Sequence, residues 1–266
     1  MRNNMSRSRN VFTALAVVGA GVLVTGGRAA HATPSTLGFY PSTDIVAKKT
    51  FHMDLDTYGR AFSTNVGTTV GLTTGIGPDR SGILGRTEIG ADYIIGGPLT
   101  NVTSSSRRLS FNVKTQLFEK EESAVRVVAG IWGVGSNTIA APDVAYVIGS
   151  KAFEWGRVTA GVANATANRA NITTPAGNND KTYLHLGYDK VLTPKFSVAI
   201  DWYSGKSAIS GMQPTVYYAV NDKSSFGLGL FRLNDSSVGP RNQVYACFDY
   251  NFGGGSSSAP AETPAQ

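Results

Sequence analysis

Between Phe51 and Phe252 the chain breaks into short segments in which every second residue is apolar. In Phe51-His52-Met53-Asp54-Leu55-Asp56, Phe, Met and Leu hold one parity while His and two Asp hold the other. Successive side chains of a strand point to opposite faces, so each such segment has one apolar and one polar side. Twelve strands are expected, over 50–58, 63–76, 86–95, 108–118, 125–134, 143–153, 157–165, 182–191, 196–204, 215–220, 225–233 and 243–252. The sixth has the weakest alternation, because both its faces are apolar or small.

The connections alternate in length. With the N-terminus in the periplasm, the inner turns 119–124, 154–156, 192–195 and 221–224 are short. The outer connections 97–107, 135–142, 166–181, 205–214 and 234–240 are longer. Two connections depart from this rule: 58–62 is short for an outer loop, and 77–85 is long for an inner turn. Short inner turns, long outer loops and an even strand number characterise barrels that cross an outer membrane. Aromatics support the same topology. Phe51, Tyr188, Phe196, Tyr218, Phe226, Tyr250 and Phe252 fall near the inner strand ends on the apolar parity, where a barrel carries an interfacial girdle.

The first residues read as an export signal. Arg2, Arg7 and Arg9 precede an apolar core over 11–24, and Ala30-His31-Ala32 is a small-x-small cleavage site. The expected organisation is a signal peptide (1–32), an extended periplasmic lead-in (33–49), a barrel (50–252) and a flexible tail (253–266) rich in Gly, Ser, Ala and Pro. The formal charge of +6 shrinks once the leader is set aside, because its four arginines leave only +2. That residue of charge gives no support for nucleic-acid binding, which requires a basic patch on the folded domain. The single cysteine, Cys247, excludes an internal disulfide. After the leader no apolar run reaches the ~20 residues of a spanning helix, so a bilayer can be crossed only by a closed sheet that pairs all its backbone amides.

Gly90-Ala91-Asp92-Tyr93, Asp201-Trp202-Tyr203 and the aromatic last strand Val244–Phe252 resemble the porin-like outer-membrane β-barrels of diderm bacteria. The chain departs from that pattern in continuing past the final aromatic. The resemblance implies an all-β, antiparallel up-and-down transmembrane barrel in the outer membrane, with lipids and the barrel-insertion machinery as partners, small hydrophilic solutes as cargo and no cofactor. The lumen is then expected to be lined by His52, Asp54, Asp56, Glu88, Asp92, Asn112, Lys114, Gln116, Arg126, Lys151, Arg157, His185, Asp189, Asp201, Tyr203 and Asp249. Gly149, Gly161, Ala163, Gly227 and Gly229 would leave room beside them. Acids on strands one, three, eight, nine and twelve face bases on strands four to seven. Such a split either sets a transverse field across a pore or pairs up and fills it.

The expected function is a narrow passive channel. The alternative is a non-conducting structural or adhesive barrel whose outer loops bind partners. Catalysis has thin support. His185 beside Asp189 or Asp201 is the one acid–His combination a barrel hydrolase would use, and a hydrogen-bonded wall histidine is the simpler reading. His52-x-Asp54-x-Asp56 puts three potential ligands on one face, against the simpler reading of a solvated acidic stripe, and no metal is expected there. Gly75-Ile76-Gly77 lacks the Lys-Ser/Thr of a phosphate loop.

Overall fold

The computed structural model describes residues 36–59, 66–78, 82–96, 106–138, 143–165, 172–239 and 242–253. The expected signal peptide, most of the tail and the departing 58–62 connection lie wholly or largely outside them. Among the described residues there are twelve long strands: β1 Thr50–Gly59, β2 Val66–Ile76, β3 Thr87–Gly96, β4 Leu109–Lys120, β5 Val125–Val134, β6 Val144–Phe153, β7 Gly156–Ala165, β8 Thr182–Val191, β9 Phe196–Tyr203, β10 Gly211–Asn221, β11 Ser224–Leu233 and β12 Asn242–Gly253. Each pairs antiparallel with the next, and β12 pairs with β1 over Thr50↔Gly253 to Gly59↔Val244, so the sheet closes into a barrel without an edge. The long 77–86 connection is partly wall, because Gly82–Ile83 pairs with Glu119 and Phe118 of β4. The tenth strand begins four residues earlier than the alternation suggests. Pro214 lacks an N–H, and the β10–β11 ladder passes from Met212 to Thr215 without pairing it.

The barrel is apolar outside and polar inside. Leu55, Leu72, Ile89, Phe111, Val147, Val162, Leu186, Val216 and Leu228, from nine different strands, are all at least 40% exposed. A continuous exposed apolar belt of this kind marks an interaction surface, and on a closed barrel it fits acyl chains. Near the short-turn end aromatic rings pack against each other. Phe51 stacks on Phe252 at 5.4 Å, Phe196 meets Tyr218 at 5.1 Å, and Trp155 lies between Phe153 and Tyr188.

The lead-in does not extend into the periplasm. Residues 36–49 form a strap inside the lumen. It enters at the short-turn end, where Lys48 bridges Gly75, and reaches the long-connection end, where the Tyr40 hydroxyl donates to the Ile209 carbonyl. It turns back at Leu37–Tyr40, with Thr36 pairing Pro41. Gly75 permits the close passage, because a Cβ there would collide with the Val46 and Ala47 carbonyls. Leu37, Tyr40, Ser42, Thr43 and Val46 are all buried. Their partners are spread over the wall, which explains why no local sequence period announces the strap.

Candidate functional site

The strap and the wall around it form the site. At the upper level the contacts are aromatic. Tyr40 lies flat on Tyr203 (centroids 3.7 Å apart, 7° between planes), and Phe39 sits among Tyr58, Trp132 and Phe231 at 5.6, 5.3 and 4.7 Å. Tyr40, Tyr183 and Tyr203 are fully buried, so this tier is closed. The Tyr40 hydroxyl donates to the Ile209 carbonyl at 2.6 Å. The inner face of β6 is apolar here, with Val144, Tyr146 and Ile148 packed in the same cluster as Tyr40.

Below that tier the strap is gripped by polar groups. Asp201 Oδ2 accepts the backbone N–H groups of Gly38, Phe39 and Tyr40 at 2.8, 2.9 and 2.8 Å. The Tyr217 hydroxyl donates to the Leu37 carbonyl at 2.6 Å, and Thr43 shares a hydrogen bond with Ser150. Lys114 pairs with Glu88 at 3.0 Å and reaches the Ser42 carbonyl, while Glu88 also accepts the Val46 N–H at 2.8 Å. Asp44 accepts from Arg157 Nη1 and Nη2, both at 2.6 Å, and from Arg126 Nη1 at 2.9 Å. Arg157 Nε donates to Asp189 at 2.9 Å, and Arg126 Nε to Glu119 at 2.8 Å. The side chains of Asp44, Asp189, Arg126 and Arg157 keep 26%, 21%, 18% and 17% exposure, so solvent reaches this level.

Of the sixteen expected lumen residues, Lys151 faces the wrong way. It stands opposite Val125 and Val158 on the outer surface, with its ammonium 5.2 Å from the Phe153 ring. Gly149 shares its outward parity. The sixth strand misled because its inner face packs against apolar rings, so polarity did not separate its two sides. The other fifteen face inward. His52 turns to Asn251 (2.9 Å) and Asp56 to the Tyr245 hydroxyl (2.8 Å), so the His52, Asp54, Asp56 trio diverges instead of converging on one point. Asp92 accepts from Asn112 at 2.7 Å, Asp249 from Ser225 at 3.1 Å, and Gln116 donates to the Gly82 carbonyl. Asp54 stands opposite Asp249 in the β1–β12 ladder, so one sector of the wall remains acidic. His185 is fully buried beside the stacked Tyr40 and Tyr203 rings and hydrogen-bonds neither Asp189 nor Asp201, so the acid–His pair does not form.

Three charged participants escaped sequence reasoning, Asp44, Arg86 and Glu119, as did the strap's aromatic contacts. The alternation puts Glu119 in the 119–124 turn. The β4–β5 ladder shifts register between Gln116 and Phe118, which flips the parity and turns Glu119 inward, 3.5 Å from Arg86. The excess of inward bases on β4, β5 and β7 was the available hint of an acid supplied from elsewhere.

No family model matches the chain, and no curated protein matches it. Solved structures do. The KdgM porin in complex with disordered oligogalacturonate is 10% identical with a TM-score of 0.48, the match covering 76% of this chain and 99% of that one. Omp33 of Acinetobacter baumannii is 11% identical at 0.42, covering 77% and 99%. The Salmonella typhi outer-membrane phospholipase OMPLA is 12% identical at 0.41, covering 84% and 94%. The likeness is to barrel architecture. Porins and a phospholipase share it alike, so function has to be argued from the site.

Proposed function

We propose that the chain is an outer-membrane barrel acting as a narrow passive channel for small hydrophilic solutes, with its aperture set by its own N-terminal strap. The observation carrying this reading is the water-accessible charged level around Asp44, Arg126, Arg157 and Asp189, enclosed by a wall whose outer face is apolar. A barrel that served only as a scaffold has no need for solvent to reach its interior charges. Around Asp44 the strap is held through hydrogen bonds and ion pairs, which water can replace when it shifts. Apolar exterior side chains supply membrane insertion, and the aromatic ring at the short-turn end supplies interfacial anchoring.

The closed aromatic tier favours a second reading, a non-conducting barrel whose outer connections bind partners. Single-channel recording in planar bilayers separates the two. The channel reading expects small discrete steps from the refolded chain and steps several-fold larger after deletion of residues 36–46. Silence from both proteins refutes it and leaves the second reading.

A further inference from the structure

We infer that Arg126 and Arg157 form a carboxylate-binding site in the lumen, which Asp44 of the strap fills at rest and which a free carboxylate solute fills when the strap gives way. The inference names a ligand class for the channel and so rests on the reading of the lumen as a solute path. Three observations carry it.

The first is geometry. Arg157 presents two N–H groups to the two oxygens of Asp44, both at 2.6 Å, and Arg126 adds a third donor at 2.9 Å. A planar fork meeting a carboxylate edge-on is the strong, directional form of this interaction.

The second is that the wall sets up the clamp without the strap. Arg157 lies directly across from Asp189 in the β7–β8 ladder, and Arg126 directly across from Glu119 in the β4–β5 ladder. Asp189 takes the Nε of Arg157, and Glu119 takes both Nε and Nη2 of Arg126, which leaves the two terminal nitrogens of Arg157 and Nη1 of Arg126 aimed at the strap. Asp189 and Glu119 are therefore positioning residues, and the donors stay oriented after Asp44 leaves.

The third is charge and access. Arg86, Arg126, Arg157 and Lys114 face the wall acids Glu88, Glu119 and Asp189, and Asp44 is the carboxylate that completes the balance. Asp44 belongs to the strap, and its side chain is 26% exposed, so a solute arriving through water can compete with it.

Isothermal titration of the full refolded chain with sodium succinate, with neutral succinamide as the control, tests this. Asp44→Asn is expected to bind succinate saturably and at least tenfold more tightly than the unaltered chain, to ignore succinamide, and to lose the binding when Arg157→Gln is added. A heat-shifted gel position certifies each barrel as folded. No saturable binding by folded Asp44→Asn, or equal binding without Arg157, overturns the inference. A second readout leaves Asp44 in place. In a chain carrying Val46→Cys and Cys247→Ala, succinate should raise the rate of thiol labelling several-fold above sodium chloride of equal ionic strength, and no rise counts against the clamp. Conductance of the same proteins keeps the two ideas apart. Succinate binding without conductance removes the channel reading alone, whereas conductance without succinate binding removes the clamp alone.

Discussion

Asp201→Ala should release the upper end of the strap. In the native chain one carboxylate oxygen satisfies three consecutive backbone donors, those of Gly38, Phe39 and Tyr40. Two of these bonds are buried and the third is partly so. A buried donor left without a partner costs about 1–3 kcal/mol. Counting the two enclosed donors fully and the third at the low end gives about 3–7 kcal/mol against the docked strap. Since about 1.4 kcal/mol is a tenfold change in an equilibrium, the undocked fraction should rise at least about 10²-fold. Asp201→Asn keeps an acceptor oxygen and should fall between the two. The assay is the labelling rate of Leu37→Cys in a Cys247→Ala background, because Leu37 lies at the released end, is 1% exposed and reacts only when that end opens. If the folded Asp201→Ala barrel labels within twofold of its parent, the three bonds do not hold the strap and the account of the lumen is wrong.

Two further outcomes test the wall. Leu228→Arg, at the middle of β11 and 55% exposed on the outer surface, should lower the stability of the barrel in lipid vesicles by about 2–4 kcal/mol in a urea titration, the penalty for a cation at mid-bilayer; no loss would place that surface in water. Arg157→Ala leaves Asp44 and Asp189 without their shared cation and should shift the reversal potential in a salt gradient toward cation selectivity, whereas Lys151→Ala, on the outer face, should leave it unchanged.

What could be read from the sequence follows from where contrast exists. Along β1, β8 and β9 an apolar residue meets the outside while Asp54, His185 or Asp201 meets the inside, so alternation alone places both faces and nearly the right ends. Along β6 that contrast vanishes, because Tyr146 and Ile148 turn inward to pack in the same cluster as Tyr40. Only the ladder, with Lys151 opposite Val125 and Val158, decides the orientation. Along β4 the bulge near Phe118 inserts a half-period, and any reading that assumes strict alternation loses Glu119 there.

The strap is a different kind of omission, and it bears on how the fold is specified. A strand declares itself through a local period, whereas the strap is defined by partners that arrive from all round the barrel: Asp201 and Tyr217 above, Arg126, Arg157 and Lys114 below. None of these is near it in sequence; Asp44 and Arg157 are separated by 113 positions. Its docked position is therefore specified by the closed wall and not by a local period of its own. The wall charges do not depend on the strap in the same way, since Arg157 with Asp189 and Arg126 with Glu119 are cross-strand neighbours set by register. That asymmetry makes the strap the weaker partner in the interface, so perturbations of the lumen should move the strap before they open the barrel.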